Sequence, residues 1–438
     1  MEYMIIKGGT LVDPATGTRG LYNVYVSGEV IASIRPFESD KIDSSPWITI
    51  IDAQGRLVLP GFIDVHTHLR EPGYEYKETI QTGGVAAAAG GFTTVLCMAN
   101  TKPINDCEAV TRQIIEKGVK SAVNVLPIGA LSYGMKGERL TEMHELKSAG
   151  CVAVSDDGMP VANAGLMRMA LEYAGGIGLP VITHAETPEL ASNGVMNEGA
   201  VSTRLGLAGI PNASEDAMVA RDIQLAELTG ARLHVAHVST LGAVALIRSA
   251  KGRGAKNITA EATPHHLTLD DEAANGYNTN AKMNPPLRSM KDVEALRAGI
   301  ADGTIDCIAT DHAPHSTIEK DVEFDKAANG IIGLETAFSL IYGLVEQGAL
   351  SLDKAIAAMT INPARSFGLS KGTLRVGSVA DITIVNPNRT WTVSHATLRS
   401  KSKNTPFIGM KLKAVVERTI VAGKIVYNNA EKQNGDAI

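Results

Sequence analysis

Hydrophobic residues form short runs at both ends of the chain, in the pattern that is typical of β-strands. Three early runs are rich in β-branched and aromatic residues, and they begin at Met4, Tyr22 and Trp47. Three similar runs near the end begin at Asp381, Lys413 and Lys424. Gly, Pro and Asp separate the runs, as expected for strands joined by turns. We therefore predict one small composite β domain, built from residues 1–60 and 366–438.

Between residues 61 and 365 the pattern changes, and strand signals alternate with helix signals. A helical stripe is visible at Leu166, Met169, Ala170 and Tyr173, which are spaced as i, i+3, i+4 and i+7. Eight candidate strands end near Leu69, Asn100, Ala130, Asp157, His184, Ser239, Thr263 and Asp311. Eight strand–helix units predict an α/β fold, a closed (β/α)8 barrel of the TIM type. An open, doubly wound sheet is the alternative.

Composition and charge exclude several classes of function. The 438 residues are 44% hydrophobic and 20% charged, which is ordinary for a globular protein. A net charge of −6 gives nucleic acid no basic surface to bind. Gly90-Gly91 interrupts the most apolar stretch, so no membrane span is predicted. The start has no secretory leader pattern, and the four cysteines form no CxxC pair. These features predict free thiols and a cytoplasmic location.

The strongest local signal for chemistry is the pair His66 and His68, which follows a buried apolar run at residues 57–63. Side chains alternate between the two faces of a strand, so both imidazoles point the same way. Two imidazoles on one face can chelate a divalent metal ion. A core role for each histidine is the alternative, and the pair alone does not decide between them.

Further candidate ligands stand at the ends of other predicted strands. His184, His237 and Asp311 each follow an apolar run, and so does the pair Asp156-Asp157. The carboxyl ends of barrel strands meet at one rim, so these groups are expected to converge there. Four histidines with aspartates form a ligand set for one or two Zn²⁺-type ions. Helix capping would explain Asp156 but not four histidines, so we predict a metal centre.

Such a centre favours hydrolysis of an amide, or its reverse. A bound metal lowers the pKa of water from about 15.7 to about 7 and polarises the carbonyl that is attacked. A nearby carboxylate must then carry a proton to the leaving nitrogen. We expect Asp311 to be this acid/base, because its strand end places it between metal and substrate.

Arg70 carries information about the substrate. It stands at the predicted barrel mouth, where a guanidinium can hold a carboxylate through two parallel hydrogen bonds. Asn100 is expected to assist, and His315 to approach the same carboxylate from the opposite side. A rim ion pair of Arg70 with Glu71 or Glu75 is the alternative.

The remaining polar features are expected to support the site rather than react. We predict that three histidines, His312, His265 and His266, contact the site residues from behind or only support the fold. His144 and His234 are predicted to have no special role. The polar segment 316–329 follows a site strand, and it is predicted to be a mobile lid.

Together these features resemble the amidohydrolase superfamily: the His-x-His motif after a buried strand, the strand-end ligands and the β-strands at both termini. Within it, DVHTHLREPG at residues 64–73 resembles the first signature of the dihydroorotases. IATDHAPH at residues 308–315 resembles the second. The similarity covers essentially the whole chain and is greatest to the long, class I form.

This resemblance implies a (β/α)8 barrel with a composite β-sandwich domain. It implies reversible cyclisation of N-carbamoyl-L-aspartate to (S)-dihydroorotate plus water, by zinc-activated water, in de novo pyrimidine (UMP) biosynthesis. One or two Zn²⁺ ions are implied, with His66, His68 and Asp311 as ligands of the first and His184 and His237 as ligands of the second. Substrate contacts are implied for His68, Arg70, Asn100, Asn284 and His315. A homo-oligomer is also implied, as is association with aspartate transcarbamoylase.

The group expected to bridge the two metal ions differs from that of many superfamily members. Many members of the superfamily use a carboxylated lysine on the fourth strand, but here that strand carries Ser155-Asp156-Asp157-Gly158. The bacterial class I forms use an Asp instead, and the interval to His184 matches theirs. Asp157 is therefore the predicted bridge, with Asp156 as the fallback.

The nearest alternatives are sister enzymes and inactive relatives. Allantoinase and dihydropyrimidinase typically have the bridging lysine, and their substrates lack the ring carboxylate that would bind Arg70. Inactive dihydroorotase-like chains that act as scaffold subunits lose metal histidines, whereas this chain retains all four. Both alternatives are therefore disfavoured.

Overall fold

The computed structural model of the chain describes residues 3–42 and 47–430. Its strands are β1 Tyr3–Asp13, β2 Thr18–Ser27, β3 Val30–Pro36, β4 Ile48–Asp52, β5 Leu57–Pro60, β6 Phe62–Thr67, β7 Phe92–Cys97, β8 Asn124–Gly129, β9 Ala153–Ser155, β10 Val181–Thr183, β11 Met196–Asn197, β12 Gly209–Ile210, β13 Leu233–Val235, β14 Ile258–Ala262, β15 Cys307–Ile308, β16 Ile382–Thr392, β17 Lys411–Val421 and β18 Lys424–Asn428.

Helices follow most of the strands in the central part of the chain. They are α1 Ile80–Ala89, α2 Glu108–Gly118, α3 Met143–Ala149, α4 Ala164–Ile177, α5 Pro188–Ala191, α6 Ala200–Leu205, α7 Asn212–Thr229, α8 Leu241–Gly252, α9 Pro264–Thr268, α10 Met290–Asp302, α11 Thr317–Lys320, α12 Ala337–Glu346, α13 Leu352–Met359 and α14 Ile361–Phe367. Short 3₁₀ helices cover Tyr133–Met135, Asp271–Tyr277 and Thr279–Ala281.

Both ends of the chain contribute to a single sheet. Its strand order is β18-β17-β16-β5-β1-β2-β3, with β4 paired beside β1. Strand β5 joins the two halves, because it pairs parallel with β1 and antiparallel with β16. Buried residues such as Ile6, Val24 and Ile384 form the core on this sheet. The domain limits 1–60 and 366–438 stay a prediction.

The predicted run at residues 57–63 is two strands rather than one, and this corrects the sequence interpretation. Strand β5 ends at Pro60 in the end sheet, and β6 begins at Phe62 in the central barrel. Between them, Gly61 donates its N–H to the Asp381 carbonyl at 2.8 Å. A Cβ at this position would lie only 2.3 Å from Thr93, so glycine permits the close crossing between the two sheets.

The central strands form a parallel barrel. The order β15-β14-β13-β10-β9-β8-β7-β6 is parallel at every pairing. Closure comes from a parallel bridge between Thr67 and His312, with the His68 N–H donating to the His312 carbonyl at 2.9 Å. The prediction of a (β/α)8 barrel is therefore confirmed, and an open sheet is excluded.

Apolar side chains fill the barrel, and others pack the helices against its outside. Interior positions include Ile63, Leu96, Ile128 and Ile182. Helix α4 shows how the outer layer is made, and its buried residues are Leu166, Met167, Ala170, Leu171 and Ala174. The predicted stripe was wrong at Met169, which is 52% exposed. The true stripe is rotated toward Met167 and Leu171, which also have helical spacing.

Two further sequence expectations concern cysteines and membranes. The four cysteines are free thiols, three of them buried and Cys107 exposed. Within residues 3–42 and 47–430, no helix is both long and apolar enough to cross a bilayer.

Candidate active site

Four histidines and two aspartates from five separate strands meet at the carboxyl-end rim of the barrel. Each stands in the last positions of its strand or up to three residues beyond it, and all are buried. The six residues are His66, His68, Asp157, His184, His237 and Asp311. Parallel strands direct their carboxyl ends to one side, which explains why residues so distant in sequence converge.

Asp157 occupies the middle of this group. Its Oδ2 lies 3.3 Å from His66 Nε2 and 3.4 Å from His68 Nε2. Its Oδ1 lies 3.2 Å from His237 Nε2 and 3.6 Å from His184 Nδ1. One carboxylate thus faces two histidine pairs, one with each oxygen. Potential ligand atoms within 4.8 Å of one another form two sets that share Asp157.

Asp311 and Asp156 have different surroundings. Asp311 Oδ1 lies 2.9 Å from His68 Nε2 and 3.4 Å from His66 Nε2, on the side of the first set. Asp156 accepts from the N–H groups of Leu131 and Ser132 at 2.8 and 3.0 Å, and also from the Ser132 hydroxyl. Its carboxylate is therefore engaged by the loop after β8, while Asp157 faces the histidines.

The chemistry of these groups fits a metal ion. The buried Nε2 atoms of His66 and His184 have no hydrogen-bond partner. Burial alone would raise the pKa of Asp157, but His66 and the other histidines hold it well below its usual value. A cation can take lone pairs from the rings and offset the charge of the carboxylates together. The two sets can hold one or two such ions.

Glu261, which the sequence interpretation missed, orients this cluster. Its Oε1 lies 2.6 Å from His66 Nδ1 and accepts from the His237 N–H at 3.2 Å. Its Oε2 lies 3.0 Å from His234 Nε2, which gives His234 a role that was not predicted. Burial raises the pKa of Glu261, but His66 and His234 outweigh it and lower the pKa to about 2. A carboxylate behind a ligand imidazole fixes the ring and its tautomer.

An open cleft of about 590 Å³ lies over the cluster, and the five predicted substrate residues line it. Arg70 donates from Nε to the Pro314 carbonyl at 3.1 Å, and its Nη2 lies 3.2 Å from His315 Nε2. Asn100 Oδ1 lies 2.9 Å from His68 Nδ1, so this amide also orients a histidine. Among the described residues, Arg70 forms no ion pair with Glu71 or Glu75, which was the alternative interpretation of this arginine.

Asn284 also lines the cleft. It donates from Nδ2 to Glu186 Oε2 at 2.9 Å, while its buried Oδ1 has no partner. Outside the cleft, His266 lies 2.8 Å from Thr263 Oγ1 and 3.0 Å from the Pro285 carbonyl. These contacts suit a structural residue.

The chain also matches known proteins. The model of the amidohydrolase family matches residues 57–426, and the chain belongs to that family. Within it, the chain groups with the dihydroorotases. The Dihydroorotase of Citrifermentans bemidjiense is 55% identical over 425 residues, which are 97% of this chain and 99% of that protein. The Dihydroorotase of Anaeromyxobacter sp. (strain K) is 53% identical over 433 residues, 98% of this chain and 99% of that protein.

Solved structures share the fold at lower identity. An L-hydantoinase (dihydropyrimidinase) from Arthrobacter aurescens has a TM-score of 0.87 and 26% identity, covering 98% of this chain and 96% of that one. A dihydropyrimidinase from Brevibacillus agri has a TM-score of 0.83 and 26% identity, covering 98% of this chain and 95% of that one. The barrel and the end sheet are therefore a frame common to several cyclic amide hydrolases.

The position of Glu261 leads to a prediction about metal binding. We expect Glu261→Gln to weaken metal affinity about 10- to 100-fold, because the His66 ring loses its charged acceptor. Metal bound per chain, measured by elemental analysis after dialysis against graded chelator, checks this. Glu172→Gln is the matched control, since Glu172 is an exposed partner of Arg168. Equal metal retention by both variants would show that Glu261 does not orient the ligand.

Proposed function

We propose that the protein is a zinc-dependent dihydroorotase, which interconverts N-carbamoyl-L-aspartate and (S)-dihydroorotate plus water. The observation that carries the proposal is that the buried guanidinium of Arg70 shares one cleft with the histidine–aspartate cluster. A guanidinium there suits the carboxylate of an acidic ring substrate. The full-length relatives named Dihydroorotase support the same assignment. Association with aspartate transcarbamoylase, a homo-oligomer and a cytoplasmic location belong to this proposal.

His66, His68 and Asp311 would hold one zinc ion, His184 and His237 would hold the other, and Asp157 would be shared between them. Imidazole nitrogens and carboxylate oxygens are the donors that zinc prefers in enzymes. When bound, zinc would act as a Lewis acid that polarises the amide carbonyl and lowers the pKa of water to about 7.

Asp311 moves the proton. In the hydrolytic direction, a water oxygen adds to the ring carbonyl carbon and the ring C–N bond breaks. The Asp311 carboxylate accepts a proton from the water and returns it to the departing nitrogen. Its contacts with His68 and His66 hold it where it lines the cleft.

Three side chains recognise the substrate carboxylate in this proposal. Arg70 and His315 stand side by side with their nitrogens 3.2 Å apart, and Asn100 lies next to His68. Asn284 has a free, buried carbonyl oxygen for a ring N–H of the substrate. Dihydropyrimidine and hydantoin rings without a carboxylate leave Arg70 without an anionic partner in the cleft, which argues against the activities named for the structural neighbours.

The direct test is an assay of the purified protein on dihydroorotate, allantoin and dihydrouracil, with metal analysis of the same sample. We expect turnover of dihydroorotate at least about 100-fold above the other two, as is typical where a buried polar site loses its partner. Zinc should be present at one or two ions per chain. Preference for dihydrouracil or allantoin would contradict the proposal.

Asp311→Asn tests the proton carrier. We expect kcat to fall by about 10²- to 10⁴-fold, the usual contribution of a general acid/base, because an amide cannot accept the proton. Steady-state kinetics with dihydroorotate measure this, and circular dichroism checks the fold. Asp321→Asn, an exposed site ten positions further on, is the control and should retain the native rate. A normal kcat in Asp311→Asn would remove Asp311 from the mechanism.

Arg70→Ala tests carboxylate recognition. Truncating one partner of a buried charge pair costs about 2–5 kcal/mol, so KM for dihydroorotate should rise at least tenfold. The exposed Arg112, which pairs with Glu108 on α2, gives the control Arg112→Ala. An unchanged KM would mean that the guanidinium does not hold the substrate.

A further inference from the structure

Lys77 lies beside the cleft, on the segment between β6 and α1, with a buried side chain. Its Nζ lies 2.6 Å from Glu319 Oε1 and 3.3 Å from His315 Nδ1. The rings of Tyr74 and Tyr76 stand 5.3 and 5.6 Å from the same ammonium. None of the roles assigned above uses this lysine, although its position is fixed from four sides.

His315 therefore stands between two cations. Lys77 faces its Nδ1, and Arg70 Nη2 faces its Nε2 at 3.2 Å. Burial, followed by the charges of Arg70 and Lys77, lowers the pKa of His315 to about 2, so the ring is neutral. A neutral imidazole has one donor and one acceptor, whereas lysine and arginine only donate. Only one of the two contacts can be a hydrogen bond.

Lys77 and Arg70 are both donors, so the surroundings of the two ring nitrogens decide which contact it is. Nδ1 faces the buried Lys77, whereas Nε2 lies beside Arg70 at the cleft, where a bound carboxylate can accept a hydrogen bond from it. Burial raises the pKa of Glu319, but Lys77 and the Ser316 N–H outweigh it and lower the pKa to about 2. Glu319 is also fixed in place, because its Oε2 accepts from the N–H and hydroxyl of Ser316 at 2.9 and 2.8 Å. Burial lowers the pKa of Lys77, but the ionised Glu319 opposes this and favours the ammonium form. Glu319 Oε2 lies 3.7 Å from His315 Nδ1, beyond hydrogen-bond distance, so the ammonium is the group that bonds to this nitrogen. With a carboxylate bound in the cleft, the ring proton then resides on Nε2.

This tautomer creates a pair of donors with no acceptor between them. The Nε2–H of His315 and the Nη2–H of Arg70 lie side by side at the cleft, with their nitrogens 3.2 Å apart. Two adjacent N–H groups match the two oxygens of one carboxylate. A neutral substituent on the ring would leave at least one of them unsatisfied, which costs free energy in a buried site.

We propose that Lys77, held by Glu319, is a positioning residue that fixes the Nε2–H tautomer of His315 and so makes the cleft selective for acidic over neutral ring substrates. This inference rests on the proposed function and deepens it. Lys77 itself acts through His315 and does not touch the substrate.

The test compares dihydroorotate with its methyl ester, which has the same ring and no negative charge. We expect Lys77→Met to lower kcat/KM for the acid by about 10- to 100-fold, mainly through KM, as when other orienting partners are removed. The value for the ester should change less than about threefold. Lys77→Arg, which retains charge and donors, should recover most of the acid-to-ester ratio.

Lys117→Met is the matched control. Lys117 pairs with Glu71 on the same segment but does not contact His315, so its variant should keep the native ratio. A thermal melt of each variant shows whether it is folded. An unchanged ratio in Lys77→Met, or an equal loss for acid and ester, would overturn the inference.

The native protein is measured first, and this separates the two hypotheses. If it does not turn over dihydroorotate, the proposed function fails and the role of Lys77 fails with it. If native turnover is normal and only the Lys77→Met ratio stays unchanged, the proposed function stands and the role of Lys77 alone is overturned.

Discussion

Two carboxylates, Asp157 and Asp311, are buried among imidazole rings at the mouth of the barrel, and this arrangement constrains everything around it. A buried ionised carboxylate loses several kcal/mol of hydration and must be paired to persist. The unpartnered ring nitrogens of His66 and His184 add lone pairs to the same small volume. A divalent cation satisfies both requirements together, because it binds lone pairs and compensates negative charge. The surrounding rim can be understood as a frame that keeps these groups together.

That frame also holds backbone conformations that the chain would not adopt alone. His237, Asp311 and Arg70 have φ values of 31°, 46° and 65°, in the left-handed region that non-glycine residues avoid. Such positions cost about 1–3 kcal/mol each and persist only where the surroundings determine them. Asp64 shows how this is done, since it accepts from the N–H of Thr310 at 3.1 Å and so ties the first barrel strand to the segment after the last. Side-chain direction at the site is thus set by closure of the barrel.

Sequence periodicity predicts what depends on local geometry, and it misses what depends on distant partners. The two-residue alternation placed His66 and His68 on one face, and their ring centroids are 5.3 Å apart. The role of Glu261 was not predicted, because its partner His66 lies 195 positions away in the chain. A signal for it does exist, since a glutamate inside the apolar strand β14 has to be paired. Lys77 offered no such signal, because its neighbours give no indication that it would be buried against His315.

The barrel cannot by itself select the substrate, because structures named hydantoinase and dihydropyrimidinase share it at about 26% identity. In the proposal made above, selection lies in the charges at the mouth. Arg70 and Lys77 bring two positive charges, and Glu319 offsets one of them. An acidic substrate compensates the remaining charge and accepts from both adjacent donors, whereas a neutral ring does neither. Discrimination of this kind comes mainly from what the wrong ligand leaves unpaired, and buried polar sites that lose a partner reject analogues more strongly than apolar pockets do.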